Sequence, residues 1–226
     1  MTDSGIESAI EALADAGFDV AHRFDAMAAS HEPGLAAIAH PQRRLGLLVG
    51  NTRVLWPRFM AAIRSDPQLA AEAHPLDRYT ERALEQITAT IPDARWWFGH
   101  RQYDGSFLPL QRLAVETALG FLSPTRLVIH PTYGPWFALR AVIVCKGDAP
   151  TTRLARMPCT CSDLCNRALA AAEISTGPDA WRAWLAVRDA CPVGRTFRYS
   201  EEQIAYHYTK DRAVLVSNTG HSSPSH

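Results

Sequence analysis

The residues from 126 to 145 constrain the fold of this 226-residue chain more than any other stretch. Two apolar, β-rich runs, at residues 127–129 and 141–144, flank a short segment that contains Pro131 and Gly134. Proline and glycine supply the restricted and the positive φ angles that tight turns require. The pattern therefore predicts a β-hairpin, with one strand on each side of the turn.

Arg140 stands beside the second of these runs. A buried cation without a partner is costly, so an arginine in an apolar strand is expected to pair with a carboxylate, either on the protein or on a bound molecule. Arg188 and Arg212 also lie in apolar or aromatic surroundings. Because the guanidinium fork binds carboxylates bidentately, the three arginines predict a site for an acidic ligand. The alternative is a set of ordinary salt bridges, such as one between Arg188 and Asp189.

Strands and helices alternate over the first two thirds of the chain. Residues 45–50 and 95–100 form short apolar or aromatic runs of strand length, whereas residues 54–63 and 110–122 carry apolar side chains at helical spacing. Asn51 and Thr52 are expected to cap the first of these helices. This order of elements predicts an α/β or α+β layer built on one sheet.

The last third of the chain is predicted to be helical. Residues 162–174 and 178–190 have helical spacing, and residues 200–203, Ser-Glu-Glu-Gln, fit a capping box that begins a final helix. Residues 1–216 are expected to form one domain. The polar residues 217–226 are expected to form a disordered tail.

Charge and hydropathy exclude several classes of partner. The 23 basic and 23 acidic residues are interspersed and the formal net charge is zero, so the chain lacks the electrostatic footprint of a nucleic-acid or membrane-surface protein. The N-terminus lacks the basic and apolar regions of a signal peptide, and no apolar run approaches the roughly 18 residues that suggest a membrane span. We therefore expect a soluble cytoplasmic protein whose partner is a small molecule.

The aromatic residues gather in four short segments instead of spreading evenly along the chain. Two interpretations are open: one flat pocket for a large planar ligand, and ordinary core packing. The four segments hold Trp96, Trp97 and Phe98; Tyr133, Trp136 and Phe137; Trp181 and Trp184; and Phe197, Tyr199, Tyr206 and Tyr208.

Four of the five cysteines, Cys159, Cys161, Cys165 and Cys191, stand in the last third of the chain. An odd number in a reducing compartment argues against a disulfide framework. Their spacing matches neither the paired C-x-x-C of structural zinc nor the ferredoxin cluster pattern. Three interpretations stay open: ligands of zinc or of an iron–sulfur cluster, redox-active thiols, and unreactive small side chains.

Three blocks of sequence resemble the CblC family of cobalamin-processing proteins. The weakest is residues 45–87, where Pro75-x-Asp77 before a predicted helix is similar to the family's Asp-Pro-Val-Asp. Residues 130–140, HPTYGPWFALR, are similar to the family's His-Pro-x-Phe-Gly-Gly-Trp-Phe-Ala-Ile-Arg. Residues 188–190, Arg-Asp-Ala, and 198–206, RYSEEQIAY, are similar to the family's Arg-Asp-Ala and Arg-Tyr-Ser-Glu-Glu-Gln-x-Ala-Tyr. The resemblance extends over residues 40–215 and is strongest in the C-terminal half.

The resemblance implies an α+β sandwich like that of flavin-dependent nitroreductases, with an antiparallel sheet at its core and helices on its faces. It also implies that the protein binds cobalamin base-off and removes the upper axial ligand. Removal would proceed by reductive decyanation, with electrons from a flavin (FMN or FAD) or a reductase partner, or by transfer of an alkyl group to the thiolate of glutathione. The alternatives are a cobalamin chaperone without turnover and a flavin-dependent reductase on the same scaffold. A cobalamin-dependent acceptor enzyme is a further implied partner, and both a monomer and a homodimer are compatible with the sequence.

The resemblance also implies roles for individual residues. Carried over position by position, it implies that Arg140, Arg188 and Arg212 bind the carboxylates of the thiol co-substrate. The implied cobalamin-binding residues are His130, Tyr133, Gly134, Trp136, Phe137 and Tyr199. The His-Pro-Asn-Arg-Arg turn of the family is replaced here by residues 103–106, and the four cysteines have no counterpart in the animal members.

Overall fold

The computed structural model describes residues 3–150, 159 and 163–216, which form nine α-helices and eight β-strands. In this part of the chain, no helix has both the length and the hydropathy to cross a bilayer. Two short 3₁₀ helices span Ala26–His31 and Arg195–Phe197. The α-helices are α1 (Asp3–Asp15), α2 (Leu55–Ser65), α3 (Pro67–Ala71), α4 (Pro75–Thr88), α5 (Leu110–Glu116), α6 (Asp163–Glu173), α7 (Ala180–Ala190), α8 (Glu201–Thr209) and α9 (Ala213–Val216). The strands are β1 (Val20–Asp25), β2 (Leu45–Asn51), β3 (Arg95–Phe98), β4 (Gln102–Tyr103), β5 (Ser106–Phe107), β6 (Phe121–Leu122), β7 (Val128–Ile129) and β8 (Ala138–Cys145).

The main sheet has four antiparallel strands in the order β1-β2-β8-β3. All seven residues of β2 are buried, because both faces of the sheet are covered. Leu47 on one face joins a core with Phe59 of α2, whereas Leu48 on the other face packs in a core with Leu113 of α5. The α+β class, with an antiparallel sheet flanked by helices, is therefore confirmed.

The hairpin predicted at residues 126–145 does not form, so that prediction was wrong. Its first strand, β7, pairs with β6, which places Ile129 opposite Phe121. Its second strand, β8, lies between β2 and β3 in the main sheet. A two-residue strand offers little to pair with, whereas the eight residues of β8 gain a neighbour on each side and bury their apolar side chains on both faces.

The helix predicted at residues 110–122 is shorter than expected. Helix α5 ends at Glu116, and Ala118 then adopts a left-handed φ of 61°. A residue in this conformation ends a helix, because it turns the following backbone amides back toward the last carbonyls. The apolar residues beyond it form β6 instead of another helical turn.

Local signals predicted other elements correctly. The strands expected at residues 45–50 and 95–100 are confirmed as β2 and β3, and the helix at 54–63 is confirmed as α2. At the start of α8, the hydroxyl of Ser200 accepts a hydrogen bond from the backbone amide of Gln203 at 3.2 Å. This bond is the first half of the predicted capping box, and it fixes the beginning of the helix.

Candidate functional site

The loop between β7 and β8 is a tight turn that packs against the loop after α7. His130 and Gly134 exchange two backbone hydrogen bonds, each 2.9 Å long, which close the turn. Gly134 has a φ of +58°, and a Cβ atom there would lie 2.0 Å from the carbonyl oxygen of Val193. Gly194 has a φ of +71°, and a Cβ atom there would lie 2.1 Å from the carbonyl carbon of Tyr133. The two loops therefore touch backbone to backbone, which is feasible because both contact residues are glycines.

The aromatic residues of these loops form one connected group. Tyr133 stacks on His130 with ring centroids 4.4 Å apart and meets Phe197 edge-on at 4.8 Å. Trp136 meets Tyr199 edge-on at 5.6 Å. Trp136 and Tyr199 are almost completely buried, so they support the wall of the site from behind and do not line an open surface.

A cavity of about 470 Å³ lies beside this group. Phe137 and Leu139 line it from the segment that enters β8, residues 108–112 line it from the start of α5, and Arg188 lines it from α7. Most of the lining residues are apolar, and Gln111, Arg112 and Arg188 add polar and charged groups to the wall. Such a combination is typical of small-molecule sites. Residues 108–112 carried no sequence signal beyond the start of a helix, so their place in the wall was missed.

Arg140 is the extra residue of a β-bulge in β8. Val49 of β2 lies opposite Ala141, but the next residue, Gly50, lies opposite Leu139, so the pairing skips Arg140. A bulge changes the direction of a side chain relative to the regular alternation of the strand. This irregularity explains how a cation can stand next to the apolar run 141–144 without facing the core that its neighbours build.

Arg140 is held by an amide and not by a carboxylate. Its Nε atom donates a hydrogen bond to Oδ1 of Asn51 at 2.7 Å, and no carboxylate oxygen of the described residues lies within 4 Å of its guanidinium. Burial lowers the pKa of Arg140, and Tyr199 and Asp77 act in the opposite direction. The expectation that Asn51 and Thr52 cap α2 was wrong for the N-cap position, which Val54 occupies. The Asn51 side chain faces Arg140, and the Thr52 hydroxyl accepts a hydrogen bond from the backbone amide of Val54 at 3.4 Å. Sequence reasoning missed the contact between Asn51 and Arg140.

Arg188 reaches the same region from α7. Its guanidinium carbon lies 5.9 Å from the ring centre of Trp136 and 6.0 Å from that of Tyr208. The alternative salt bridge with Asp189 is not what the structure contains, since Asp189 accepts a hydrogen bond from Nε of Arg198 at 2.7 Å. Arg188 is therefore oriented by aromatic rings and remains available to an anion.

Two buried polar atoms beside Arg140, Nη1 of Arg188 and the hydroxyl of Tyr199, make no hydrogen bond of good geometry with the described residues. The two side chains are nevertheless close enough for a weak hydrogen bond from Arg188 to act on the Tyr199 hydroxyl. Burial raises the pKa of Tyr199, while the charges of Arg188 and Arg140 act in the opposite direction. Leaving a buried polar group unsatisfied costs about 1–3 kcal/mol, so such groups are typical of sites that a ligand completes.

Arg212 is placed differently from the other two arginines. It donates hydrogen bonds to the backbone carbonyls of Ala70 and Glu72, at the end of α3. Its charge acts on Tyr206, as does the charge of Arg140. The structure thus brings Arg140 and Arg188 together around Tyr199 and ties Arg212 to the end of a neighbouring helix.

The ring of His130 accepts two hydrogen bonds within the turn. Its Nδ1 atom accepts hydrogen bonds from the backbone amides of Thr132 at 3.0 Å and Tyr133 at 3.2 Å, so in the neutral ring the proton lies on Nε2. Burial and, to a smaller extent, the neighbouring His22 lower the pKa of His130 to about 4. At neutral pH the ring is uncharged and offers one N–H group.

Acid is expected to destabilise the protein through His207. Burial, followed by the charges of Arg188, Arg140 and Lys210, lowers its pKa to about 3. Because the unfolded chain binds this proton at a pKa of about 6.5, the stabilising contribution is complete above pH 6.5 and is lost as the pH falls toward 3. In urea denaturation, His207 alone should lower the free energy of unfolding by about 2 kcal/mol between pH 7 and pH 5. In His207→Phe, the free energy of unfolding should decline by about that much less between pH 7 and pH 5. The control His31→Asn, which replaces an exposed histidine, should show the same decline as the wild-type protein. If His207→Phe also showed the wild-type decline, His207 would not be the group responsible.

Three of the four clustered cysteines lie near one another where α6 meets the end of α7. Sγ of Cys165 lies 3.6 Å from the carbonyl oxygen of Ala190, the residue before Cys191. Burial raises the pKa of Cys191, and Cys165 and Cys159 add to the effect. Among the described residues, no three His, Cys, Asp or Glu side chains are arranged to hold a metal ion. Cys161 lies outside the described residues, and the zinc or iron–sulfur hypothesis stays a prediction.

Comparison with known proteins finds similarity both in sequence and in structure, whereas no family model matches the chain. A human protein named cyanocobalamin reductase / alkylcobalamin dealkylase is 29% identical over 177 residues, which cover 78% of this chain and 55% of the relative. The chain thus spans about half the length of that protein. The crystal structure of CblC, a B12-trafficking protein from C. elegans described as a homologue of human MMACHC, superposes with a TM-score of 0.73 at 15% identity. That match covers 99% of this chain and 100% of the other. The sequence relative and the shared fold together confirm the predicted resemblance to the CblC family.

Proposed function

We propose that this protein binds cobalamin as a substrate and removes its upper axial ligand. The observation that carries the proposal is the pair of arginines, Arg140 and Arg188, which meet at a buried, incompletely hydrogen-bonded site around Tyr199, with Arg188 also lining the apolar cavity. The human relative is named as a cyanocobalamin reductase and alkylcobalamin dealkylase. An apolar wall suits a corrin ring, and an adjacent cationic site suits an acidic co-substrate.

The apolar wall would position the corrin. Phe137 and Leu139 line the cavity, and Trp136 and Tyr199 hold the loop in place from behind. His130 would donate its Nε2–H to an amide carbonyl on the corrin edge. It would not ligate cobalt, because Nδ1 is occupied by two backbone amides and Nε2 carries the proton.

The two arginines would bind the carboxylates of a thiol such as glutathione and orient its sulfur. A nearby cation also favours the thiolate over the thiol, and both effects raise the rate of a displacement. In dealkylation, the thiolate sulfur would attack the upper carbon, a carbon–sulfur bond would form, and the electron pair of the broken cobalt–carbon bond would stay on cobalt. In decyanation, an electron from a flavin or a reductase partner would reduce cobalt and release cyanide.

The test is to mix the purified protein with methylcobalamin and follow the visible spectrum. We expect a shift to the base-off form on binding, and then a loss of the methylcobalamin band that requires both protein and glutathione. The control omits the thiol and should show binding without loss of the band. Binding without turnover under any thiol or flavin condition would support a chaperone, and bound flavin without any cobalamin-dependent change would support a flavin-dependent reductase.

A further inference from the structure

We infer that Asn51 is a positioning residue that aims Arg140 at an anionic ligand while leaving the arginine's charge unneutralised. This inference deepens the proposed function and rests on it, because it identifies what selects an acidic thiol over an uncharged one. Asn51 is the last residue of β2 and is completely buried. In the sequence, Asn51 stood out only because it precedes a predicted helix.

The geometry fixes the amide of Asn51 in one orientation. Its Oδ1 atom accepts the hydrogen bond from Nε of Arg140 at 2.7 Å. Its Nδ2 atom donates to the backbone carbonyl of Thr52 at 2.8 Å. An amide has one accepting and one donating end, so two partners of opposite polarity exclude the flipped orientation. Oδ1 therefore faces the guanidinium in the only arrangement that satisfies both bonds.

The sheet brings these two side chains together across the end of β2. Asn51 pairs with Ala138 and Gly50 pairs with Leu139, and the bulge that skips Arg140 lies directly beyond the second of these pairs. A Cβ atom on Gly50 would lie 2.5 Å from the carbonyl oxygen of Ala138, so the small residue is what lets the strands stay close at the irregularity. The bulge and the strand end together hold Arg140 beside Asn51.

A neutral partner preserves the charge of Arg140. A carboxylate at this position would form a buried ion pair and cancel the field that an incoming anion experiences. An amide instead fixes Nε and leaves both Nη groups of the fork for a bidentate contact. The carboxylate of Asp77 affects Arg140 through its field and not through a salt bridge.

The experiment compares Asn51→Asp with the wild-type protein, using glutathione as an anionic thiol and 2-mercaptoethanol as an uncharged one. With glutathione, we expect kcat/KM for demethylation of methylcobalamin to fall on the order of tenfold or more, mostly through KM, since the new carboxylate would neutralise Arg140 and weaken its contact with the carboxylate of glutathione. With 2-mercaptoethanol the change should be small. Asn166→Asp adds the same charge on the exposed surface of α6 and should change neither value.

Equal losses with both thiols, or an unchanged value with glutathione, would overturn the role of Asn51. If Asn51→Asp does not fold, as judged by circular dichroism, then Asn51→Ala should show the same selective loss of glutathione. Wild-type protein without thiol-dependent turnover would defeat the proposed function. In that case, calorimetry with glutathione and the same variants would still decide whether Asn51 controls the binding of an anion at Arg140.

Discussion

Replacing Gly194 by alanine is expected to destabilise the protein by about 3 kcal/mol or more, or to prevent folding. The new Cβ atom would lie 2.1 Å from the carbonyl carbon of Tyr133, 2.2 Å from its oxygen and 2.5 Å from the amide nitrogen of Gly134. These are backbone atoms of a closed turn, so they cannot rotate away as a side chain would. Urea denaturation followed by circular dichroism measures the effect.

Gly177→Ala is the matched control for this prediction. Gly177 also has a positive φ, +87°, but a Cβ atom there would meet nothing within 4 Å. It should therefore show only the cost of the left-handed conformation, about 1–2 kcal/mol. If the two substitutions destabilised the protein equally, the close packing of the two loops would be contradicted.

The second large effect is expected for Arg188→Gln in the thiol-dependent reaction. Removal of a buried cation that binds a carboxylate should lower kcat/KM for glutathione by about 10–100-fold. The affinity for cobalamin, measured from the base-off spectral change, should fall much less, because the corrin rests mainly on apolar residues. The quantity to compare is the fold-loss in kcat/KM for glutathione divided by the fold-loss in cobalamin affinity.

Arg182→Gln is the matched control for Arg188. Arg182 lies on the same helix, is exposed, stacks over Trp181 and bonds to Asp179. Its replacement removes the same charge from α7 and should leave both quantities unchanged. Equal loss of cobalamin binding and of thiol-dependent turnover in Arg188→Gln would defeat its role in positioning the thiol.

Elements set by local chemistry could be predicted from the sequence. The Ser200 cap, the strands at residues 45–50 and 95–100 and the helix at 54–63 depend on side-chain spacing and on nearby hydrogen bonds. The hairpin failed because turn residues specify a reversal of the chain but not which strands pair. β8 finds more buried area between β2 and β3 than beside β7.

In the candidate site, too, some residues could be predicted from the sequence and others could not. The sequence singled out Arg140 and Arg188 as cations in apolar surroundings, and the structure places both around Tyr199. It did not identify Asn51, which contacts Arg140 from 89 positions away. That contact depends on strand register and on a bulge, and neither has a signature within a few residues of either side chain.

The position of β8 in the sheet has a consequence for synthesis and folding. The β1–β2 pair is complete early in the chain, but the free side of β2 must wait for β8, which follows far along the sequence. Until then, a strand with seven residues meant for burial presents an unpaired edge, and late long-range pairing of this kind slows folding. A chain terminated before residue 138 would keep that edge open and should aggregate, so the first and second halves of this protein are not separable into soluble fragments.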